Sequence, residues 1–424
     1  MTSGAPGESA VSVLHCASVV LPITSAPIVD GAVAVAGDRI VAVGPREELR
    51  ALYADAQVRA WPGVLTPGLV NAHTHLEYSD FADMAVTGMP FAEWLLSLLE
   101  RRAHFTPAMW MESARHGVHQ LLQAGATCVA DVVTVGPGIV AAAATGLAGI
   151  SYVEMAGVDE ARWPAALETL LAQLYGAPGG RVVGISPHTP YSLGTEVLRR
   201  LGALARSRGM RMHIHVAESL SEVDAVTSGT GPFGGPPPGM TFELELHGVG
   251  TALSPTAYVD SLGLLGPDMH LAHAVHLDAT DRALLRERRT AVALCPRSNA
   301  ILFAGTAPVA DYLREGNAIA VGTDSLSSSP SLDLLDDVRA LREIAVAQGY
   351  VADDLDRRLV EAATIGGAAA MGLTDVGRLE PGARADLAAF DVPTSGDPYA
   401  ALVAAGAGRC VGTVLAGRLV HRAR

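Results

Sequence analysis

Segments typical of strands and helices alternate along most of this chain, from about residue 67 onward. Eight apolar segments have the character of buried strands, and most are followed by a helical pattern such as TEVLRRLGALARSRG or LDLLDDVRALREIAVAQG. Only a few architectures accommodate such a long alternation of strands and helices. The eight segments are LVNAH, ATCVADV, AGISYVEM, RVVGISPH, RMHIHVAE, MHLAHAVHL, TAVALCP and AIAVGTD.

Two α/β architectures fit this alternation: a closed (β/α)8 barrel of the TIM type and an open, doubly wound sheet. An open sheet that binds a dinucleotide carries GxGxxG after an early strand, and no such motif follows an early strand here. Polar residues end many of the eight segments instead of marking a single switch point. The sequence therefore predicts an α/β fold built on a TIM-type barrel.

The two ends of the chain follow a different pattern. Residues 11–66 are short apolar runs separated by turn signals, and AGDR is typical of a hairpin turn. Short strand patterns return after about residue 375. We therefore expect residues 1–66 and 376–424 to form the two parts of a small β-sandwich, with the barrel in residues 67–375. For the Gly/Pro-rich loop of residues 227–241, periodicity predicts no regular element.

Composition limits the partners of this chain. Its 424 residues are 49% hydrophobic and 17% charged, with a net charge of −14, which is typical of a globular protein with a large core. The acidity argues against nucleic acid and against anionic membrane surfaces, so we expect a small-molecule substrate and leave a homo-oligomer open. Four scattered cysteines and an N-terminus without a secretory pattern predict a cytoplasmic protein.

Histidine and acidic residues stand at the ends of several predicted strands, where a barrel of this type carries its working groups. Strand residues i and i+2 point the same way, so His73 and His75 converge on one side. A solvated strand end would explain any one histidine, and Asp324 could simply cap a helix. The ordered succession on successive strands favours a shared site. The candidates are His73, His75, His188, His213, His215, Glu218, His270, His273, His276 and Asp324.

Three histidines and an aspartate with one open position form a catalytic metal pattern. Imidazole and carboxylate suit zinc or ferrous iron. Water bound to such an ion loses a proton near neutral pH and becomes a nucleophile. A second carboxylate that is not a ligand can then move protons between this water and the substrate. Glu218, just past the fifth strand, is placed for that work.

Four stretches, PGLVNAHTH, HVAES, LAHAVHLD and VGTDS, resemble the amidohydrolase superfamily, and most of all its mononuclear branch of deaminases and chlorohydrolases. The resemblance covers roughly residues 15–420. It implies one divalent metal ion per chain, zinc before iron. It also implies that Glu218 is the proton shuttle and that His273 holds the hydroxide or the leaving group. The implied ligands, of which Asp324 also takes part in catalysis, are His73, His75, His215 and Asp324.

The chain contains no lysine, which supports the mononuclear branch independently. Binuclear members of the superfamily generally bridge two metals with a carboxylated lysine, and the fourth strand here ends in His188. A bridging glutamate stays an alternative. The HxxE pattern on strand five favours the mononuclear class.

The stretch ALCPRSN departs from the SHNPxSN pattern of many relatives, because Cys295 and Arg297 occur there. Two stretches, CPRSNA and GTDSLSSSPSLDLL, most resemble the 6-aminodeoxyfutalosine deaminases of the futalosine route to menaquinone. The resemblance implies an aminohydrolase that releases ammonia from this adenine-type nucleoside. The alternatives on the same metal site are an S-adenosylhomocysteine, adenosine, guanine or cytosine deaminase, a chlorohydrolase or an amidase. An inactive scaffold is disfavoured, because none of the implied ligands is missing.

Three residues are candidates for contact with the substrate. Trp94 in MPFAEWLLSLLE and His188 in SPHTPYS match residues that contact the nucleoside in adenosine-type relatives, although Trp94 could equally be a core aromatic. Arg162 in VDEARWP falls near the position where relatives bind a substrate carboxylate, and a bidentate guanidinium suits that role. We expect Arg162 to bind the benzoate of 6-aminodeoxyfutalosine, with Arg297 as the second choice.

Overall fold

The structure, a computed structural model, describes residues 11–235 and 245–423. Its strands, numbered β1 to β15 in chain order, are Val13–Val20, Ile28–Ala36, Arg39–Pro45, Gln57–Pro67, Leu69–Thr74, Ala126–Val133, Ala148–Met155, Val182–Pro187, Met212–Val216, Met269–His273, Ala291–Leu294, Ile319–Val321, Leu387–Phe390, Cys410–Leu415 and Arg418–Arg422. Its helices, numbered α1 to α15, are Arg46–Leu52, Phe91–Arg102, Pro107–Gln123, Pro137–Thr145, Trp163–Tyr175, Thr195–Ser207, Leu220–Ser228, Pro255–Ser261, Ala279–Arg288, Pro296–Ile301, Val309–Glu315, Leu334–Ala347, Leu355–Glu361, Gly367–Ala370 and Pro398–Ala405. A 3-10 segment, Leu76–Met84, follows β5, and a π-helical turn, Ala362–Gly366, precedes α14.

Strands β5 to β12 form one parallel sheet in which each strand pairs with the next along the chain. The segment directly after β12 also meets β5, where the backbone N–H of Asp324 donates to the carbonyl of His73 at 3.1 Å. Each of these strands overlaps one of the eight predicted segments. The sheet is thus a nearly closed TIM-type barrel, which confirms the predicted fold class.

The barrel strands are covered on both faces. Every residue of β5, β6, β9, β10 and β11 is buried. Leu201 of α6 and Leu341 of α12 join the same hydrophobic core as Ile214 of β9. Parallel strands take this arrangement because the crossover helices pack on the outside of the sheet. The two helical patterns of the sequence are therefore the outer layer of the barrel.

The two chain ends meet in a second, mixed sheet of seven strands, in the order β15-β14-β13-β4-β1-β2-β3. Strands β1 and β4 run parallel, and the other neighbours are antiparallel. Strands β2 and β3 form the hairpin that AGDR predicts. Strand β4 ends at Pro67 and β5 begins at Leu69. The division of the chain at residues 66 and 375 stays a prediction.

The loop of residues 227–241 is only partly described. Helix α7 reaches Ser228 and ends at Gly229, whose φ is 68°. Residues 236–241 of the loop lie outside the described residues. Within the described ranges, no helix is long and apolar enough to cross a membrane.

Gly149 of β7 lies where the barrel leaves no room for a side chain. Its φ of 102° favours glycine, and a Cβ atom there would lie 2.6 Å from the backbone nitrogen of Val129 on β6. We expect Gly149→Ala to lower the free energy of unfolding by about 1–3 kcal/mol, measured by urea denaturation.

Gly136→Ala is the matched control. Gly136 has a φ of −53°, and a Cβ atom there would meet nothing within 4 Å. Its free energy of unfolding should change by less than about 0.5 kcal/mol. Equal stability of the two variants would contradict the backbone clash at Gly149.

Candidate active site

The carboxyl ends of the barrel strands bring the predicted ligands together. His73 and His75 come from the end of β5, and their ring centroids lie 5.1 Å apart. The ring of His215, on β9, lies 4.9 Å from that of His73, and the ring of His273, at the end of β10, lies 5.2 Å from it. All four side chains are buried. The convergence follows from strand geometry, because i and i+2 side chains share one face.

Asp324 completes this cluster from the segment after β12. Its Oδ1 lies 3.4 Å from His73 Nε2 and 3.7 Å from His75 Nε2. The other oxygen, Oδ2, accepts hydrogen bonds from the hydroxyls of Ser298 (2.7 Å) and Ser328 (2.8 Å). These bonds orient the carboxylate, so Oδ1 stays directed at the histidines.

The donor atoms of this cluster fit a divalent metal ion. His73 Nε2 is buried, and no hydrogen bond from the described residues satisfies it. Donor atoms of His73, His75 and Asp324 lie within 4.8 Å of one another, and so do those of His73, His215 and His273. Burial lowers the pKa of His75 to about 4, so its imidazole is neutral and keeps a lone pair for a metal. Imidazole nitrogen and carboxylate oxygen suit zinc or iron.

Hydrogen bonds to the second ring nitrogen orient two of these histidines. His215 Nδ1 donates to the carbonyl of His188 at 3.0 Å. His273 Nδ1 lies 2.9 Å from Asn299 Oδ1, and this oxygen can only accept. In both rings Nε2 therefore keeps its lone pair, as a metal ligand or a hydrogen-bond acceptor requires.

Glu218 lies beside His273, at the edge of the cluster. Its Oε1 is 3.6 Å from His273 Nε2, and the side chain is buried. Burial raises the pKa of Glu218 well above its ordinary value, and the charge of Asp324 raises it further. A raised pKa favours the protonated form of a carboxyl group, the form that can give a proton to a substrate.

Glu222 holds the loop that carries Glu218, and sequence reasoning missed it. Its two carboxyl oxygens accept hydrogen bonds from the backbone N–H groups of Ala217 (2.7 Å) and Glu218 (2.8 Å). Ala217 has a φ of 53°, a strained value for a residue with a side chain. The signal was present, because Ser219 and Glu222 have the spacing of a capping box.

A cavity with an empty volume of about 1060 Å³ opens above the cluster. Trp94 lines it, and its indole N–H donates to the carbonyl of Ser327 at 2.9 Å, which fixes the ring. His188 also lines the cavity, with Nδ1 3.0 Å from the hydroxyl of Ser192. The apolar wall is mostly aromatic, and its aromatic members are Tyr78, Phe91, Trp94, Tyr191 and Phe233.

The structure does not bring Arg162 or Arg297 to this cavity wall, as far as the described residues define it. Arg162 donates to the carbonyl of Gly157 at 3.2 Å and lies 3.7 Å from the Asp159 carboxylate. Arg297 donates to the buried carboxylate of Asp337 at 2.7 Å. Both guanidinium groups are thus directed at carboxylates of the protein.

Arg102, the last residue of α2, is the guanidinium that lines the cavity within the described residues. It lies over the ring of Tyr78, 5.6 Å from its centroid. It forms no hydrogen bond or ion pair with another described side chain. Glu154 of β7 lines the same cavity, and its Oε1 is buried without a hydrogen-bond partner. Sequence reasoning missed both, because a basic residue at a helix end and an acidic one in a strand carry no special signal.

The comparisons with known proteins establish the class of this chain. The family model "Amidohydrolase family" matches residues 64–420. The chain therefore belongs to the amidohydrolase family, as the motifs predict. A second model, an imidazolonepropionase-like composite domain of bacteria, matches residues 31–56.

Similar proteins narrow the class to an aminohydrolase. A 5-methylthioadenosine/S-adenosylhomocysteine deaminase of Pelotomaculum thermopropionicum is 30% identical over 373 residues, which cover 85% of this chain and 80% of that protein. An aminodeoxyfutalosine deaminase of Deinococcus radiodurans is 31% identical over 354 residues, 81% of each chain. The solved structure of an adenosine deaminase from Xanthomonas campestris with bound zinc has a TM-score of 0.81 at 24% identity and covers 97% of this chain and 93% of that one. At 24% identity, the similarity to the Xanthomonas structure supports the fold alone. The chain is a hydrolytic aminohydrolase.

Removal of the Glu222 carboxyl should disturb the reaction without removing a metal ligand. Glu222→Ala leaves two backbone N–H groups unpaired, so the loop that positions Glu218 can shift. We expect kcat to fall about 10²-fold, the scale of a displacement near 1 Å, while metal content stays unchanged. Steady-state kinetics and elemental analysis measure both.

Asp397→Ala is the matched control, because Asp397 caps α15 through the N–H of Tyr399 and lies outside the cavity wall. It should lower the melting temperature and leave kcat unchanged. A normal kcat in Glu222→Ala would contradict the positioning role.

Proposed function

We propose that this aminohydrolase deaminates an adenine-type nucleoside, and that its substrate is 6-aminodeoxyfutalosine. The observation that carries the proposal is the buried Glu218 carboxyl beside a buried cluster of histidines and Asp324, at the base of a cavity with aromatic walls. The names of the similar deaminases support the same type of reaction. This substrate would place the enzyme in the futalosine route of menaquinone synthesis.

Four residues would hold the metal ion: His73, His75, His215 and Asp324. Zinc is proposed before iron, because imidazole and carboxylate donors suit both and the Xanthomonas protein is described with zinc. When bound, such an ion supplies a Lewis acid that makes water a nucleophile near neutral pH.

Glu218 and His273 would move and hold the protons. Hydrolytic deamination adds water at the ring carbon that bears the amino group, a ring nitrogen gains a proton, and ammonia leaves. Glu218 is placed to protonate that ring nitrogen and then to pass the proton of the attacking water to the leaving amine. His273 Nε2, 3.6 Å from Glu218 Oε1, would hold the attacking oxygen or the leaving group.

The one guanidinium among the described residues of the cavity wall supports a substrate with an anionic group. 6-Aminodeoxyfutalosine carries a benzoate at the end opposite its adenine. We now propose Arg102 as the residue that binds this carboxylate, because its guanidinium lines the cavity and Arg162 is directed at Asp159. Trp94 and the aromatic wall would pack against the rings of the substrate, and His188 would contact the nucleoside near the metal.

An S-adenosylhomocysteine deaminase is the second candidate, because a relative at 30% identity bears that activity in its name. S-adenosylhomocysteine has a carboxylate, so Arg102 suits it as well. 5-Methylthioadenosine has none and would leave the guanidinium without a carboxylate from the substrate. Initial rates on a panel of adenine nucleosides that differ at the 5′ position separate these substrates.

Two substitutions test the reaction separately from the choice of substrate. We expect Glu218→Gln to keep its metal and to lose about 10²–10⁴-fold in kcat, the scale of general acid–base catalysis. We expect His73→Ala to lose the metal and the activity together. Elemental analysis and ammonia release measure the two quantities, and a loss in Glu218→Gln that follows loss of metal would refute the proton-transfer role.

Arg102→Met tests the substrate. We expect KM for 6-aminodeoxyfutalosine to rise about thirty- to four-thousandfold, since loss of an Arg partner costs a buried carboxylate about 2–5 kcal/mol. KM for 5′-deoxyadenosine should change little. Arg162→Met is the control and should behave as the wild type on both nucleosides. If Arg162→Met alone raised KM for 6-aminodeoxyfutalosine, Arg162 and not Arg102 would bind the carboxylate. If the wild-type enzyme preferred 5-methylthioadenosine, 6-aminodeoxyfutalosine would be rejected as the substrate.

A further inference from the structure

Two more histidines lie behind the ligand cluster, and the reaction described above gives them no role. His213 of β9 and His270 of β10 are paired residues on neighbouring strands. Both are fully buried, and their rings are stacked, with centroids 4.0 Å apart and an angle of 13° between the ring planes. Neither lines the cavity. His213 Nε2 lies 2.7 Å from Nδ1 of His73, which makes it the direct neighbour of a predicted ligand.

The hydrogen bonds of His213 define where its proton sits. Its Nδ1 lies 3.0 Å from the backbone carbonyl of His270. A carbonyl can only accept, so His213 Nδ1 carries the hydrogen. The ring is fully buried, and its two nitrogens contact only this carbonyl and His73 among the described hydrogen bonds. A neutral imidazole carries a single N–H, so His213 Nε2 is a hydrogen-bond acceptor.

The proton on His73 follows from that of His213. Because His213 Nε2 accepts, His73 Nδ1 must carry the hydrogen in the 2.7 Å bond. The free lone pair of His73 then lies on Nε2, the atom directed at Asp324. Histidines that bind metals usually donate their second N–H to a carboxylate, a carbonyl or water, which sets the tautomer and the ring orientation. Here a neutral imidazole occupies that place.

We propose that His213 is a positioning residue that holds His73 in the Nδ1–H tautomer and so presents Nε2 to the divalent ion. The inference rests on the proposed function only in that His73 is a metal ligand. The side chain of His270 has a different role, because its Nε2 donates to the carbonyl of Ala72 at 3.1 Å and its Nδ1 has no hydrogen-bond partner in the described structure. It contributes a stacked ring and a backbone carbonyl.

The test compares variants by their affinity for zinc, without substrate. His213→Phe keeps a ring of similar size and removes the acceptor, so we expect the affinity to fall about 10–100-fold, the usual cost of losing such a partner. His213→Gln offers a carbonyl oxygen and should recover part of the affinity. His270→Phe is the matched control, because it removes a buried hydrogen bond without changing a partner of His73. Competition with a chromophoric chelator measures zinc affinity on each full-length enzyme, and melting of the metal-free proteins measures stability.

The outcomes separate positioning from packing. The proposal requires both Phe variants to lose stability and only His213→Phe to lose affinity. Wild-type affinity in His213→Phe, or an equal loss in His270→Phe, overturns it. If His213→Phe does not fold, His213→Gln and His213→Met carry the same comparison, because the glutamine accepts a strong hydrogen bond and the methionine does not. Failure of the wild-type enzyme to bind zinc or iron would instead refute the metal site of the proposed function.

Discussion

A backbone hydrogen bond joins the segment directly after the last barrel strand to the end of the first, from the N–H of Asp324 to the carbonyl of His73. It closes a sheet of parallel strands, so the carboxyl ends of all eight meet at one rim. Residues far apart in the chain become neighbours there, and Asp324 Oδ1 lies 3.4 Å from His73 Nε2. The ligand cluster and Glu218 depend on this closure, because they come from different strands.

Burial at this rim acts in opposite directions on the two kinds of titratable group. It lowers the pKa of His75 to about 4, which keeps the imidazole neutral and its lone pair available. It raises the pKa of Glu218 well above the ordinary value, with a further contribution from Asp324, which favours the protonated carboxyl. Burial at one site of low dielectric thus favours neutral imidazoles and a protonated carboxyl side by side.

Most of the rim could be predicted from the sequence, because it follows local rules. Alternation of side chains along a strand places His73 and His75 on one face, and the same rule places His213 beside His215. That rule says nothing of what His213 contacts. Its partner, His73, lies on β5, while His213 lies on β9. Only the closed barrel brings His73 Nδ1 within 2.7 Å of His213 Nε2. The register of distant strands, which no local pattern encodes, therefore decides the role of His213.

The directions of the Arg102 and Arg162 side chains also could not be predicted from local sequence patterns. Arg162 directly precedes α5, and its guanidinium turns back to the carbonyl of Gly157, whereas Arg102 ends α2 and lines the cavity. A basic residue at the C-terminal end of a helix, such as Arg102, has an electrostatic reason of its own, so its sequence position does not reveal a role in the cavity. The predicted metal ligands come from strand ends. Three residues of the cavity wall, Trp94, Arg102 and Phe233, come instead from α2 and from the loop after α7. Helices and loops that follow barrel strands can change without disturbing the rim. Differences in substrate between deaminases of this family should therefore arise in α2 and in that loop, while the strand ends retain the shared chemistry.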